Sequence, residues 1–238
     1  MPVPAQDVST TPGANGLQRL TARIVACRRC PRLVAYGAQV AATRRRAYAD
    51  QVYCAHPVPG FGDPAAWLLL VGLAPGAHGA HRTGRMFTGD RSGDFLFAAL
   101  HRAGFANQAE SRSRQDGLRL RGAYITAAVR CAPPDNRPTA EEISNCRGYL
   151  RAELTLLRRV RAVITLGRLA HAQFLTAARE LGLLTRPAEY PFAHGAAYRL
   201  PNGWRLLPCY HPSQQNTFTG RLTPAMLDAV LAAARAPV

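Results

Sequence analysis

Four cysteines are the residues of this chain whose type and spacing point most clearly to chemistry. Cys27 and Cys30 form a C-x2-C pair near the start of the sequence, and Cys131 and Cys146 follow far downstream. Cysteines distributed in this way are typical of one metal centre or iron–sulfur cluster that joins distant segments. Two unrelated pairs of thiols, or one disulfide in a secreted protein, are the alternatives. We expect the two other cysteines to be packing residues.

Three loops hold most of the remaining residues that could do chemistry. Residues 72–90 are rich in glycine, match neither a Walker loop nor a dinucleotide fingerprint, and offer Phe87 as a stacking ring and Asp90 as a carboxylate. Asn136, behind two prolines, could pair with a base edge or close a turn. Residues 211–220 open with His211, and their polar and aromatic composition suits a wedge pushed into a duplex. Asp90 could instead be an acidic residue that only stabilises the N-terminus of a helix. A lone histidine after a strand, such as His211, is usually structural.

The elements that must position these loops alternate between strand and helix. Apolar runs predict strands at 67–71, 123–129, 163–166 and 204–208, and helical periodicity predicts helices at 17–36, 92–103, 168–182 and 222–234. A further helix starts at a capping box of Thr139 and Glu142, and Ser92 is the expected N-cap of the helix at 92–103. This order predicts an α/β fold, a three-layer α/β/α sandwich with a mainly parallel four-stranded central sheet. The loops at the carboxyl ends of its strands would carry the site.

The composition bounds the domain organisation and the partner. We predict a disordered tail at 1–16 and a single domain at 17–238. The net charge of +16 arises from 30 basic residues against 14 acidic ones, and every basic residue is an arginine. The codon usage of a GC-rich bacterial genome accounts for arginine in place of lysine, but not for the excess of bases over acids. That excess implies a polyanionic partner, most simply nucleic acid, with non-specific polyanion affinity as the alternative.

The sequence also predicts the cellular compartment. No apolar run is long enough to span a membrane, and the first residues lack the basic and apolar regions of a signal peptide. We therefore expect a cytoplasmic bacterial protein, in a reducing compartment that favours metal ligation over disulfides.

Together these residues resemble the uracil-DNA glycosylase superfamily, and more closely its iron–sulfur branch, family 5 or type b. The resemblance covers residues 24–235 and rests on four features that occur in order. The four features are the four cysteines, residues 57–64, the loop at 72–90 and residues 211–223. In the sister family 4 a carboxylate follows the first glycine of the glycine-rich loop, where this chain has Leu73, and this difference favours type b.

The resemblance implies roles for particular residues. The four cysteines would ligate a structural [4Fe–4S] cluster. The implied catalytic residues are Asp90, which would orient the attacking water or balance the charge of the sugar cation, with His211 and Asn136. No role is implied for His81. The implied base-binding residues are Gly72, Leu73, Ala74, Pro75, Gly76, Phe87 and Ala127, and the implied DNA-binding residues are Ser213, Gln214, Gln215, Asn216 and Arg221.

The activity that the resemblance implies is base excision. We expect the protein to flip uracil, and other deaminated or damaged bases, out of double-stranded DNA and to hydrolyse the N-glycosidic bond, which leaves an abasic site. Ala127 stands where family 4 members carry an asparagine that reads uracil, so we expect stacking to set much of the selectivity. Because the sequence has no lysine for a Schiff base, it predicts a monofunctional enzyme.

The expected partner is duplex DNA that contains uracil or a related lesion, bound by a monomer that associates with the nucleoid and with no membrane. The alternative is a non-catalytic nucleic-acid-binding protein with a four-cysteine zinc site. The wide separation of Cys131 and Cys146 counts against a zinc ribbon, which needs a second tight pair of ligands.

Overall fold

A six-stranded sheet forms the middle layer of the computed structural model, which describes residues 12–236. Its strands are β1 (Phe61–Gly62), β2 (Leu68–Gly72), β3 (Ala123–Ala127), β4 (Ala162–Leu166), β5 (Tyr198–Arg199) and β6 (Arg205–Cys209). The strand order is β1-β3-β2-β4-β6-β5, with four parallel strands in the centre and an antiparallel strand at each edge. The four central strands are the predicted ones. The edge strands were not predicted, because two residues are too short to show a periodic pattern.

Helices cover both faces of this sheet. They are α1 (Pro12–Val25), α2 (Pro31–Thr43), α3 (Ala80–Thr83), α4 (Arg91–Arg102), α5 (Ala140–Leu156), α6 (Arg168–Glu180), α7 (Gln214–Phe218) and α8 (Pro224–Arg235). Helices α4 and α8 pack together on one face, α5 and α6 on the other, and α1 packs on α5. Among the described residues, no helix has the length and apolarity needed to cross a membrane.

The core is divided between the two faces of the sheet. Leu68 and Leu70 of β2 belong to the cluster that contains the apolar residues of α4 and α8. Leu69 and Val71 belong to the cluster under α5 and α6. Successive residues of a strand point to opposite faces, and here both sets are buried, as in a parallel sheet covered by helices on each side. The predicted three-layer α/β/α sandwich is therefore confirmed.

Two local predictions were wrong, namely the single helix at 17–36 and Ser92 as the N-cap of the helix at 92–103. The helix expected at 17–36 is two helices, because Pro31 occupies the first turn of α2 and residues 26–30 form an irregular connection that contains the C-x2-C pair. Helix α1 starts at Pro12, so the predicted tail at 1–16 overlaps its first turn, and residues 1–11 lie outside the described part of the chain. The N-cap of α4 is Asp90 rather than Ser92. The capping box of Thr139 and Glu142 at the start of α5 is confirmed.

Candidate active site

A cleft of about 1130 Å³ lies at the carboxyl ends of the parallel strands, where the loops after β2, β3 and β6 meet. All three loops singled out in the sequence contribute to it. Of the predicted site residues, those lining it are Leu73, Ala74, Pro75, Gly76, Phe87, Asp90, Asn136, His211, Ser213, Gln214 and Gln215. The loops at the carboxyl ends of the parallel strands bring these side chains together, as expected for an open parallel sheet.

Asp90 is both the N-cap of α4 and a cleft carboxylate, so the two interpretations of this residue are compatible. The backbone N–H of Gly93 donates to Asp90 Oδ1 at 2.9 Å. The other oxygen faces the glycine-rich loop, since a Cβ built on Gly79 would overlap Oδ2 and one built on Gly76 would lie 3.1 Å from it. Burial raises the pKa of the Asp90 carboxyl, and hydrogen bonds from the backbone of Gly93 and Ser92 oppose this increase.

Phe87 is held in the cleft wall by glycines on either side. Its backbone adopts a left-handed conformation with φ of 51°, which is uncommon for an aromatic residue. A Cβ built on Gly72 would lie 3.1 Å from the Phe87 ring, and one on Gly93 would overlap the Phe87 carbonyl oxygen. The ring is half-buried and its centroid lies 5.9 Å from that of His211. The glycines therefore allow the ring to approach the backbone closely.

His211 is a neutral imidazole in the wall of the cleft. Burial lowers its pKa to about 4, so the ring carries no charge near neutral pH and can donate through only one of its two nitrogens. A Cβ built on Gly167 would lie 3.3 Å from the His211 Cβ, which places the histidine against the end of β4. This arrangement suits a hydrogen bond to a ligand in the cleft without the desolvation penalty of a buried charge.

The short helix α7 accounts for the polar residues after His211. Ser213 is its N-cap and accepts a hydrogen bond from the backbone N–H of Asn216. The Asn216 side-chain amide donates to the His211 carbonyl oxygen at 2.8 Å, so it braces the loop and does not line the cleft. Gln214 and Gln215 are exposed at the mouth. Arg221 lies outside the cleft, with its guanidinium 4.7 Å from the centroid of the Tyr210 ring.

Asn136 and Ala127 differ in their relation to the cleft. Asn136 is exposed at its rim in a left-handed conformation with φ of 56°, directly after Asp135 with φ of 54°. Asn and Asp tolerate this conformation better than most residues, so Asn136 shapes the turn and also reaches the cleft. Ala127 pairs with Gly72 across β2 and β3 and is 1% exposed within the core. Ala127 and Gly72 therefore lie behind the cleft wall rather than on it.

A second histidine, His78, lines the cleft and was not predicted. Its Nδ1 lies 2.9 Å from the Tyr53 hydroxyl. Burial lowers the pKa of His78, and the charges of Arg45 and Arg82 lower it further. The sequence gives no local signal for this contact, because 25 residues separate the two side chains. His81, three residues along, is buried against Gly37 of α2 and does not line the cleft.

The four predicted cysteine ligands come together away from this cleft. Cys30, Cys131 and Cys146 are buried in one cluster, Cys27 is half-buried beside α5, and none is in a disulfide. Burial, then repulsion from the other three thiols, raises the pKa of Cys131 to about 12. In the part of the chain that the structure describes, no three His, Cys, Asp or Glu side chains form a group that could hold a metal ion.

The fold and the cleft define an α/β/α protein with a polar site at the carboxyl ends of its strands and an excess of positive charge. A family model described as the uracil DNA glycosylase superfamily matches residues 59–235. The type-5 uracil-DNA glycosylase of Mycobacterium leprae is 54% identical over 217 residues, which cover 91% of this chain and 93% of the relative. That of Thermus thermophilus is 53% identical over 89% of this chain and 94% of the relative. The chain therefore belongs to the uracil-DNA glycosylase superfamily and groups with its type-5 members.

Similarity to the type-4 members is weaker and more restricted. The type-4 uracil-DNA glycosylase of Archaeoglobus fulgidus is 36% identical over 119 residues, about half of each chain.

Proposed function

We propose that this protein releases uracil from double-stranded DNA by hydrolysing the N-glycosidic bond, which leaves an abasic site. The observation that carries the proposal is that Phe87, Asp90 and His211 meet in one cleft of a chain that belongs to the uracil-DNA glycosylase superfamily. The cleft is large enough for a nucleotide turned out of the helix, which is how enzymes that do chemistry on a base reach it.

The base is proposed to stack on the Phe87 ring. Stacking of this kind contributes about 1–3 kcal/mol per base and depends little on which base is present. Ala127 offers no polar group to read a base edge, and the side chains that line the cleft beside Phe87 include Leu73 and Ala74. We therefore propose that bases besides uracil are released, with hypoxanthine, ethenocytosine and hydroxymethyluracil as the substrates to test.

His211 and Asp90 are proposed to act on opposite charges. As the bond to the base lengthens, negative charge grows on the pyrimidine oxygen and positive charge on the sugar. The neutral His211 ring would donate an N–H to that oxygen, a contribution of about 3–4 kcal/mol for one well-placed donor. Asp90 keeps Oδ2 available to the cleft while Oδ1 caps α4, and it would either orient the attacking water or stabilise the sugar cation.

Helix α7 is proposed to open the duplex. Phe218 at its end is 69% exposed, lines the mouth of the cleft and lies under the guanidinium of Arg91 at 5.3 Å. An exposed apolar ring beside a nucleotide-sized cleft can insert between base pairs and fill the space that the flipped base leaves. Gln214 and Gln215 on the same helix would contact the separated strands.

Strand cleavage is not part of the proposed reaction. Glycosylases that also cut the strand do so through a Schiff base with an amine, usually that of a lysine, and the chain contains no lysine. Borohydride treatment during turnover should therefore trap no protein–DNA adduct.

The four cysteines are proposed to hold a [4Fe–4S] cluster. The donor set fits such a group, because Cys30, Cys131 and Cys146 are buried in one cluster, the half-buried Cys27 belongs to the same C-x2-C pair as Cys30, and none of the four is in a disulfide. A cluster places iron and sulfide between its ligands, so its cysteines stand farther apart than those around a single ion. When bound it would tie the connection between α1 and α2 to the end of β3 and to α5, and no step of the reaction is assigned to it.

The proposed activity is tested by incubating purified protein with duplexes that carry one uracil, or thymine at the same position. Cleavage of abasic sites after the incubation should cut only the uracil strand, and an untreated sample should remain intact. Lack of base release from the uracil duplex would overturn the proposal. Iron analysis of the same preparation separates the [4Fe–4S] cluster from the zinc alternative.

A further inference from the structure

Arg82 of α3 is a buried cation that has no acidic partner within residues 12–236. It is 6% exposed. The two other buried arginines each have a carboxylate partner, since Arg85 is paired with Asp116 at 2.7 Å and Arg130 is paired with Glu153. A buried charge without an ion-pair partner is costly. This cost makes Arg82 a candidate for a role in which its charge is used.

The guanidinium of Arg82 joins two parts of the glycine-rich loop. Its Nε donates to the His78 carbonyl oxygen at 2.7 Å, and its Nη2 donates to the Gly89 carbonyl oxygen at 2.6 Å. His78 lines the cleft, and Gly89 directly precedes Asp90. These two bonds therefore fix the guanidinium close to the backbone that carries the cleft carboxylate.

The other side of the guanidinium is held by residues 48–51. Nη1 donates to the side-chain oxygen of Gln51, and the guanidinium carbon lies 3.9 Å from the centroid of the Tyr48 ring. All three nitrogens of Arg82 thus have a hydrogen-bond acceptor, and each acceptor is neutral. The charge is fixed in place without being neutralised.

Arg82 and Asp90 both line a second cavity, of about 1090 Å³, that adjoins the cleft. Asp90, Tyr48 and Arg91 line the two cavities in common. Burial raises the pKa of the Asp90 carboxyl, the charge of Asp94 raises it further, and the charge of Arg82 lowers it. Arg82 therefore favours the ionised carboxylate that either proposed role of Asp90 requires.

The other charged side chains around Asp90 are exposed, so water and salt screen their effect on it. They are Arg45, Arg91, Asp94, Glu110, Arg112, Arg114 and Asp135. Burial lowers the pKa of His78 and of His211, which leaves both rings mostly uncharged near neutral pH. Among the described residues that line the two cavities, Arg82 is thus the one buried positive charge.

We propose that Arg82 is a positioning residue of the active site: fixed by the carbonyls of His78 and Gly89, its positive charge stabilises the carboxylate form of Asp90. The inference rests on the proposed role of Asp90 in base release. A positive charge near a carboxylate favours its ionised form, and the interaction is stronger where water is excluded. Removal or neutralisation of this charge should therefore raise the pH at which Asp90 takes up a proton.

The test follows the titration of the Asp90 carboxyl by carbon NMR in the full-length protein without DNA, with the signal assigned by its loss in Asp90→Asn. Arg82→Gln removes the charge. Gln51→Glu keeps Arg82 and gives it an acidic partner at an exposed position where a hydrogen bond already exists, so this variant does not depend on the loss of a buried side chain being tolerated. The midpoint of Asp90 should move to higher pH in both variants.

Gln115→Glu is the matched control. Gln115 is exposed and lines the same second cavity, but its side chain is not bonded to Arg82. This variant should titrate as wild type does. A wild-type midpoint in Gln51→Glu, or in an Arg82→Gln protein that thermal unfolding shows to be folded, would overturn the inference. An equal rise in Gln51→Glu and Gln115→Glu would overturn it as well, since any added negative charge would then suffice.

The uracil assay separates this inference from the proposed activity. If the wild-type protein releases uracil, the acid side of its curve of rate against pH should move to higher pH in Arg82→Gln and Gln51→Glu. If the wild-type protein releases none while the NMR midpoints move as expected, the proposed function is overturned and the effect of Arg82 on Asp90 is supported.

Discussion

His211 shows how burial prepares a residue for its proposed task. An exposed histidine would be partly charged near neutral pH and would bind water. In the cleft wall its pKa is lowered to about 4, so the ring stays neutral over the range in which the reaction would run. The same burial makes the folded protein sensitive to acid, because His211 takes up a proton more easily in the unfolded chain than in the folded one.

The first prediction concerns this acid sensitivity. Between pH 6.5 and about 4 the unfolded state binds a proton at His211 and the folded state does not, so the free energy of unfolding should fall as the pH is lowered through this window. His211→Gln should show a shallower fall, which urea denaturation between pH 7 and 4.5 would measure. Other buried histidines remain in both proteins, so the difference between the curves reports His211. If the free energy of unfolding falls equally with pH in the variant and in wild type, the burial of the His211 ring would be contradicted.

At the scale of elements, α7 is the part of the cleft most exposed to a bound duplex. It has only five residues, and its position depends on the Ser213 cap and on the Asn216 bond to the His211 carbonyl. A helix this short has little intrinsic stability, so these side-chain bonds and the loop define where Phe218 stands. Phe218, which is proposed to insert into the duplex, and the His211 imidazole are therefore connected through one loop.

The second prediction is that Phe218→Ala reduces base release from duplex DNA much more than from a single strand. The reason is that a single strand needs no base pair opened and gains nothing from a wedge. Leu169→Ala is the control, since Leu169 is also an exposed apolar residue, at 56%, but does not line the cleft. Rates under single-turnover conditions on both substrates measure the effect. An equal loss on both would show that Phe218 contributes to the cleft and not to base-pair opening.

Much of this architecture could be predicted from the sequence, and the exceptions have physical causes. Central strands such as β2 could be predicted because they are short apolar runs, which are typical of strands buried on both faces. The break between α1 and α2 was missed because apolar periodicity continues on both sides of Pro31. At the site, loops with unusual glycine content identified Phe87 and Asp90. The contact of His78 with Tyr53 depends on tertiary packing alone.

At the scale of the whole molecule, the net charge of +16 should dominate DNA affinity. The arginines of residues 44–46 are not equivalent. The Arg44 guanidinium is bonded to the carbonyl oxygens of Ala41 and Ala49, whereas Arg45 is exposed and lines the cleft. Arg45 is therefore the better placed of the two to meet a phosphate of the strand that enters the cleft.

The third prediction follows from this difference. Arg45→Gln should weaken binding to an undamaged duplex and reduce the slope of log affinity against log salt by about 1, the value for one lost phosphate contact. Arg147→Gln is the control, because Arg147 is paired at 3.0 Å with Glu180 at the end of α6 that lies away from the cleft. Fluorescence anisotropy titrations at several salt concentrations provide both slopes. Equal slopes for the Arg45 variant and wild type would exclude the contact.

The central claim, that this cleft releases the base with Asp90 as its carboxylate, is tested most directly by the rate of uracil release under single-turnover conditions. Asp90→Asn is informative because Asn is as good an N-cap as Asp, so α4 should persist while the charge is lost. We expect release to fall about 100-fold or more with duplex affinity retained. Asp94→Asn, in the same first turn of α4 but outside the cleft, should remain near the wild-type rate. A wild-type rate for Asp90→Asn would contradict the account.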